Sequence, residues 1–123
     1  MKIAIIEDDI AISQMYRTKF ETEGFEVDVA DNGEVGLDLI SKFKPNIILL
    51  DLNMPIMRGD EMLRKLRKTK DGKEYKVIIL TNMGREEAPP DIKELGVDTY
   101  IVKAEMTPKE VAEVVKKKLH SKK

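Results

Sequence analysis

Five short apolar runs, at residues 2–6, 25–30, 46–51, 76–81 and 98–103, recur along the chain with stretches of helical spacing between them. A strand needs only four to six residues to be covered on both faces, and its neighbour in a parallel sheet is reached only through a long crossover. Strand-length runs alternating with helical patterns therefore predict an α/β fold with a parallel sheet. The first, third and fourth runs are nearly unbroken Ile, Val and Leu, as expected of strands buried on both faces. The second and fifth alternate more, which predicts edge strands.

The intervening stretches carry helix signals. Ile12, Met15, Tyr16 and Phe20 recur at helical spacing, and Gly24 follows as a stop. A second pattern uses Val35, Leu39, Ile40 and Phe43 and ends before Pro45; a third uses Met62, Leu63 and Leu66. The last helix is the best marked. Thr107 is placed to cap it, Pro108 suits its first turn, Glu110 completes a capping box, and Val111, Val114, Val115 and Leu119 form its stripe. Between the fourth and fifth runs, Pro89-Pro90 forbids a helix interior, so a helix there is expected to begin near Pro90 and end at Gly96. Five strands and five helices joined by right-handed crossovers give a doubly wound five-stranded sheet, order 2-1-3-4-5 as in flavodoxin-like folds, with helices on both faces.

At 123 residues the chain suits one domain, 1–123, with no linker and no effector domain. Lys plus Arg number 22 against 23 Asp plus Glu, a net charge of -1, so no global field draws the chain onto nucleic acid or anionic lipid. No cysteine is present, which excludes disulfides, thiolate metal sites and a thiol nucleophile. Apolar runs are far shorter than the ~20 residues of a membrane span, and the start has no secretory pattern. A cytoplasmic protein is expected.

In open parallel sheets, sites form outside the carboxyl ends of the strands, where the strand order reverses. There the first strand ends in Glu7-Asp8-Asp9, the third in Asp51, the fourth in Thr81-Asn82 and the fifth in Lys103. Several carboxylates at one rim repel one another unless a cation sits among them. With oxygen ligands only, the suitable ion is hard, and Mg²⁺ (or Mn²⁺) fits a site of carboxylates, water and phosphate oxygens. Lys103 can hold a phosphoryl oxygen, Thr81 offers a hydroxyl beside it, and Asp51 is the candidate nucleophile toward phosphorus, forming an acyl phosphate.

Taken together, the strand ending Glu7-Asp8-Asp9, the segment Asp51-Leu52-Asn53-Met54-Pro55 followed by Gly59, Thr81, and residues 100–103 give the whole chain a resemblance to the receiver domains of two-component response regulators. The resemblance implies that Asp51 is the phosphoacceptor and that Glu7 and Asp8 bind the metal with Asp51 and the backbone carbonyl of Asn53. Thr81 and Lys103 would hold the phosphoryl oxygens with Asn82 beside them, and Thr81 and Tyr100 would form the switch. The partners implied are a sensor histidine kinase or histidine phosphotransfer protein and a downstream protein target. That target would be met on the face of the fourth helix, fifth strand and fifth helix. No direct nucleic acid or membrane contact is implied, and the chain is expected to be a monomer, with a dimer as an option on phosphorylation. It resembles the stand-alone receivers of chemotaxis and phosphorelays, with a receiver cut from a longer transcriptional regulator, or a non-phosphorylated pseudo-receiver, as the other readings.

Three departures stand out. Asn82 takes the place of the family's usual small residue. Ala104 follows Lys103 where proline is usual, so a trans bond and an altered loop are expected, since a cis bond before a non-proline residue costs ~2.5–4 kcal/mol. Pro89-Pro90 shortens the helix of the output face. Each site residue also has a plainer reading: Asp9 as a cap for the first helix, Lys103 as a surface ion pair, and Tyr100 as packing. An aspartate-based phosphatase would need an acid two residues after Asp51, where Asn53 stands. A flavin or nucleotide binder would need small residues in the first loop, which instead carries three acids. The chain is therefore expected to be a phosphoacceptor signalling domain, not an enzyme acting on a separate substrate.

Overall fold

The computed structural model describes residues 1–120; residues 121–123, included in the single domain expected above, lie outside the described residues. The elements are β1 (Lys2–Ile6), α1 (Ile10–Thr22), β2 (Glu26–Ala30), α2 (Gly33–Phe43), β3 (Ile47–Leu50), α3 (Gly59–Lys68), β4 (Lys76–Thr81), β5 (Thr99–Val102) and α4 (Pro108–Leu119). All strand pairs are parallel, in the order β2-β1-β3-β4-β5, which is the expected topology with the expected edges.

Strand alternation sorts the core into two layers. Ile3, Ile5, Ile47, Leu49, Ile78 and Leu80 face α1 and α4, where Tyr16, Phe20, Val111 and Val115 close over them. Ala4, Ile6, Ile48, Leu50, Val77 and Ile79 face the other way, under Ile40, Met62, Leu63 and Leu66 of α2 and α3. Each fully buried Ile or Leu contributes about 1.5–3 kcal/mol, against a few tenths for an exposed ion pair such as Lys42–Asp38, so the two layers and not the surface charges hold the sheet.

The helix ends follow local chemistry. Asp9 caps α1, its carboxylate accepting from the Ile12 amide at 3.1 Å, and the chain leaves the helix through Gly24 at φ +94°. Asn32 caps α2 through the Val35 amide at 3.0 Å. In α4 the capping box forms as expected: Thr107 Oγ1 accepts from the Glu110 amide at 3.2 Å, and Glu110 accepts from the Thr107 amide at 2.9 Å. Two stripe positions point outward instead: Met15 is 42% exposed and Val35 47% exposed, while Ser13, Gly33 and Gly36 are buried in their helices.

The largest departure lies between β4 and β5. The helix expected from Pro90 to Gly96 is absent, so the described residues hold four α-helices and not five. In its place stand two 3₁₀ turns, Arg85–Glu87 and Ile92–Leu95, the second ending at Gly96 with φ +72°. Pro89-Pro90 supplies no amide hydrogens, and the preceding Ala88 is extended (φ -62°, ψ 149°), as a residue before proline prefers. Too few residues remain before Gly96 to propagate an α-helix after nucleation.

Candidate functional site

The carboxyl ends of β1, β3, β4 and β5 open into a cleft of about 430 Å³ lined by Glu7, Asp8, Asp51, Asn53, Thr81, Asn82 and Lys103. Seven of the eight residues expected at the site thus meet at one rim. Tyr100 does not line the cleft; its hydroxyl donates to the carbonyl of Met83 at 2.9 Å, and Met83 is part of the wall. Asp9, expected just outside, caps α1 and also borders the cleft.

Glu7, Asp51 and Thr81 are buried because each is the first polar residue after a buried strand, where the sheet's two covering layers still flank it. Asp8 is exposed. Carboxylate oxygens of Glu7, Asp8 and Asp51 lie within 4.8 Å of one another. The Lys103 ammonium bonds to Glu7 Oε1 and lies 3.4 Å from Asp51 Oδ2, so one cation bridges two of the three acids. The remaining Asp51 oxygen, Oδ1, accepts from the Asn53 amide at 3.3 Å, and Glu7 Oε2 accepts from the Asp9 amide at 3.1 Å.

This arrangement leaves negative charge incompletely matched. Burial, helped by the Asp51 charge and opposed by the bond to Lys103, pushes the Glu7 carboxyl up from 4.5 to about 7. Oxygen donors, one ammonium and an open face toward water fit a hard divalent ion with water and phosphate oxygens completing its shell. Three clustered carboxylates with a buried one made hard to ionise are the chemical signature of a place that a second cation would relieve.

The β3–α3 loop is pulled tight under Asp51. The Gly59 amide donates to the Leu52 carbonyl at 3.0 Å, and a Cβ on Gly59 would come 2.0 Å from the Asp51 carbonyl oxygen, so only glycine permits this approach. In the same loop Ile56 holds φ +67° with its side chain 76% exposed, and the Met57 amide bonds to the Pro55 carbonyl at 2.7 Å across it. A β-branched residue in that region costs on the order of 1–3 kcal/mol, and no sequence signal marked it. The Lys103–Ala104 bond is trans, as expected, and the chain turns at once into a 3₁₀ turn, Lys103–Glu105.

Met83 and Glu87 also line the cleft, and Arg85 lies over the Tyr100 ring; none was expected there. They come from the stretch before Pro90, to which the sequence assigns no regular element and so no direction for its side chains.

Comparison with known proteins gives a consistent result. The description "Response regulator receiver domain" matches residues 3–116. The chain is 34% identical over 113 residues to the phosphate regulon transcriptional regulatory protein PhoB of Rhizobium meliloti, covering 92% of this chain and 50% of that protein. It is 40% identical over 103 residues to the cell cycle response regulator CtrA of Brucella ovis, covering 84% of this chain and 44% of that one. The chain thus spans about half the length of these curated relatives. Among solved structures, a CheY-like receiver domain protein from Methanospirillum hungatei JF-1 superposes with a TM-score of 0.86 at 34% identity, covering 96% of this chain and 92% of that one. The chemotaxis response regulator CheY4 of Vibrio cholerae superposes with a TM-score of 0.85 at 27% identity, covering 94% and 96%.

Proposed function

The chain belongs to the response regulator receiver domain family, and from that premise we propose that Asp51 accepts a phosphoryl group from a phosphohistidine on a sensor kinase or phosphotransfer protein. The observation that carries this reading is the bridge of Lys103 between Glu7 and Asp51 at the mouth of an acidic cleft. A carboxylate oxygen of Asp51 attacks phosphorus, the N–P bond of the phosphohistidine breaks, and its electron pair returns to the imidazole, leaving an acyl phosphate. Glu7, Asp8, Asp51 and the Asn53 carbonyl would hold Mg²⁺ or Mn²⁺, which would supply positive charge against the phosphoryl oxygens.

The chain's own groups do the rest. Lys103, already 3.4 Å from Asp51, turns from the carboxylates to a phosphoryl oxygen. Thr81, at the end of β4, presents its hydroxyl from the opposite wall, with Asn82 beside it. Movement of Thr81 is transmitted to Tyr100 through Met83, whose amide donates to Thr81 Oγ1 at 3.3 Å and whose carbonyl receives the Tyr100 hydroxyl. The surface that changes is the β4–β5 connection with β5 and α4, and it controls a protein target. The domain is a phosphoacceptor whose only catalysis is on its own acyl phosphate.

Action in the cytoplasm as a stand-alone monomer that pairs at most when phosphorylated is part of this reading, and the net charge of -1 supports the absence of nucleic-acid and membrane contact. Among the described residues no helix is long and apolar enough to cross a membrane. The curated relatives, one of them named a transcriptional regulator and both about twice as long, favour a second reading as the receiver part of a longer regulator. Immunodetection of the native protein's size in its source cells separates the two.

The primary test is intact mass after incubation with acetyl phosphate and Mg²⁺. One phosphoryl mass of ~80 Da is expected, absent in Asp51→Asn and lost when the metal is chelated. An adduct that survives Asp51→Asn defeats the assignment.

A further inference from the structure

The β4–β5 connection is held by two different sets of bonds. Its far half is tied to α3: Arg64 forks onto Asp91 at 2.7 and 3.0 Å, and Arg67 donates to the carbonyls of Leu95 at 2.7 Å and Gly96 at 2.9 Å. Ile92 is buried there. The near half, from Asn82 to Ala88, buries no residue fully and is fastened to β5 instead. Pro89-Pro90 separates the halves.

The near-half fastening centres on Arg85. Its guanidinium lies 5.9 Å from the Tyr100 ring centre, donates to the Tyr100 carbonyl at 3.1 Å, and pairs with Glu105 at 3.0 Å. One side chain thus grips the ring and the backbone of the same tyrosine, and reaches the turn that follows Lys103. The Tyr100 hydroxyl holds the Met83 carbonyl, and the Met83 amide holds Thr81 Oγ1. Arg85, Tyr100, Met83 and Thr81 form one continuous chain of contacts ending at the cleft wall.

We infer that Arg85 is a positioning residue that latches this arrangement and opposes loading of Asp51. Resting on the phosphoacceptor reading above, the inference adds a residue specific to this chain. While Arg85 grips Tyr100, the near half is fixed and Thr81 Oγ1 stays engaged by the Met83 amide. Releasing Arg85 frees residues 82–88 to move about the proline pair while Arg64 and Arg67 keep the far half on α3. A ligand shifts a two-state element only by its differential affinity, and weakening the resting state makes the loaded one easier to reach. The latch is exposed, so its effect is modest: about two- to fivefold, the size of an exposed ion pair combined with an exposed cation–aromatic contact.

The experiment compares wild type, Arg85→Ala, Arg85→Lys and the charge-matched control Lys42→Ala, which removes an exposed pair on α2. Fluorine NMR of fluorotyrosine-labelled protein, with Tyr100→Phe for assignment, and amide exchange of residues 83–88 are read on the unphosphorylated chain. The rate of loading from acetyl phosphate is read by intact mass. Arg85→Ala is expected to move the Tyr100 resonance, speed exchange of 83–88 and load about two to five times faster, with partial rescue in Arg85→Lys and no change in Lys42→Ala. An unchanged Tyr100 resonance and exchange in Arg85→Ala overturns the latch. A moved resonance with an unchanged loading rate overturns its link to the site. Wild type that takes no phosphoryl group from acetyl phosphate or from phosphoramidate, whose N–P bond stands in for that of phosphohistidine, defeats the phosphoacceptor reading, and the resonance and exchange data then decide the latch alone.

Discussion

The two faces of the sheet are closed by different means. Over Ile3, Ile5, Leu49 and Leu80 lie two regular helices of 13 and 12 residues, α1 and α4, each capped by its own side chains and each burying a stripe. On the other face α2 and α3 each bury a stripe, but beyond α3 the cover is a pair of 3₁₀ turns fastened by arginines. An apolar stripe holds its place by burial, which is non-directional and roughly proportional to the apolar area removed from water. A fastening of guanidinium to carbonyl and carboxylate holds by direction and charge, and lets go in steps. The second kind of closure suits the part of the molecule beside the cleft, where the inferred latch calls for a segment with two positions.

Three measurements bear on that contrast. The largest effect belongs to burial: Leu63→Ala in α3, fully buried under the sheet, is expected to lose about 2–5 kcal/mol in urea unfolding, and Val115→Ala in α4 a smaller amount in proportion to the volume removed. A loss under 1 kcal/mol at Leu63 would mean that the α3 face is loosely packed and that the contrast is misdrawn.

Next comes Arg67→Ala. Its guanidinium serves the carbonyls of Gly72, Tyr75, Leu95 and Gly96 at 2.7–2.9 Å, with no carboxylate bonded to it, and burial holds its pKa below the usual guanidinium value. Removing it leaves acceptors without a donor and is expected to cost about 1–3 kcal/mol. Amide exchange should rise in residues 91–98 and stay unchanged in α1 and α4. Arg67→Lys should not restore it, because an ammonium cannot fork across four carbonyls. Exchange that rises evenly over the whole chain would sink the idea of a local fastening.

A third effect lies at the rim, where burial acts in the opposite sense. Glu7 is pushed up to about 7 in the folded, metal-free chain, above its ordinary 4.5. The folded state therefore binds the proton more tightly than the unfolded one. That contribution to stability is complete below pH 4.5 and is lost as pH rises through about 7. The bond to Lys103 is already reflected in that value, so at about 1.36 kcal/mol per pH unit the loss between pH 4.5 and about 7 approaches ~3 kcal/mol. Chemical unfolding without divalent metal at pH 5 and pH 8 measures it, and Glu7→Gln should remove the difference. A metal-free protein that gains stability from Glu7 over that range would contradict the account.

Much of this was readable in the residues themselves. The unbroken apolar runs of β1, β3 and β4 could only be central strands, and Thr107-Pro108 with Glu110 could only open a helix, because these signals act within a few residues. The rim followed from topology: Glu7, Asp8, Asp51, Thr81 and Lys103 each end a strand, and parallel strands end on the same side. What failed to read was whatever depended on the opposing surface. Met15 and Val35 fit their helical stripes by spacing, yet the sheet beneath had room only for Ser13 and Gly36. The 3₁₀ turn Ile92–Leu95 stands where a late helix is expected from Pro90 to Gly96, because prolines mark where a helix stops more plainly than what replaces it. Arg64, Arg67 and Arg85 looked like ordinary surface charge, since nothing local distinguishes an arginine in water from one that forks onto distant carbonyls.

The residues alone determined the strand runs, the caps, the strand order and the set of groups that meet at the rim, because each follows from short-range periodicity and from the handedness of the chain. Tertiary structure alone decided that Lys103 bridges Glu7 and Asp51, that Glu7 is hard to ionise, and that Arg85 grips Tyr100. These depend on distances between residues far apart in the chain and on how much water is excluded between them, and neither quantity exists until the layers have closed.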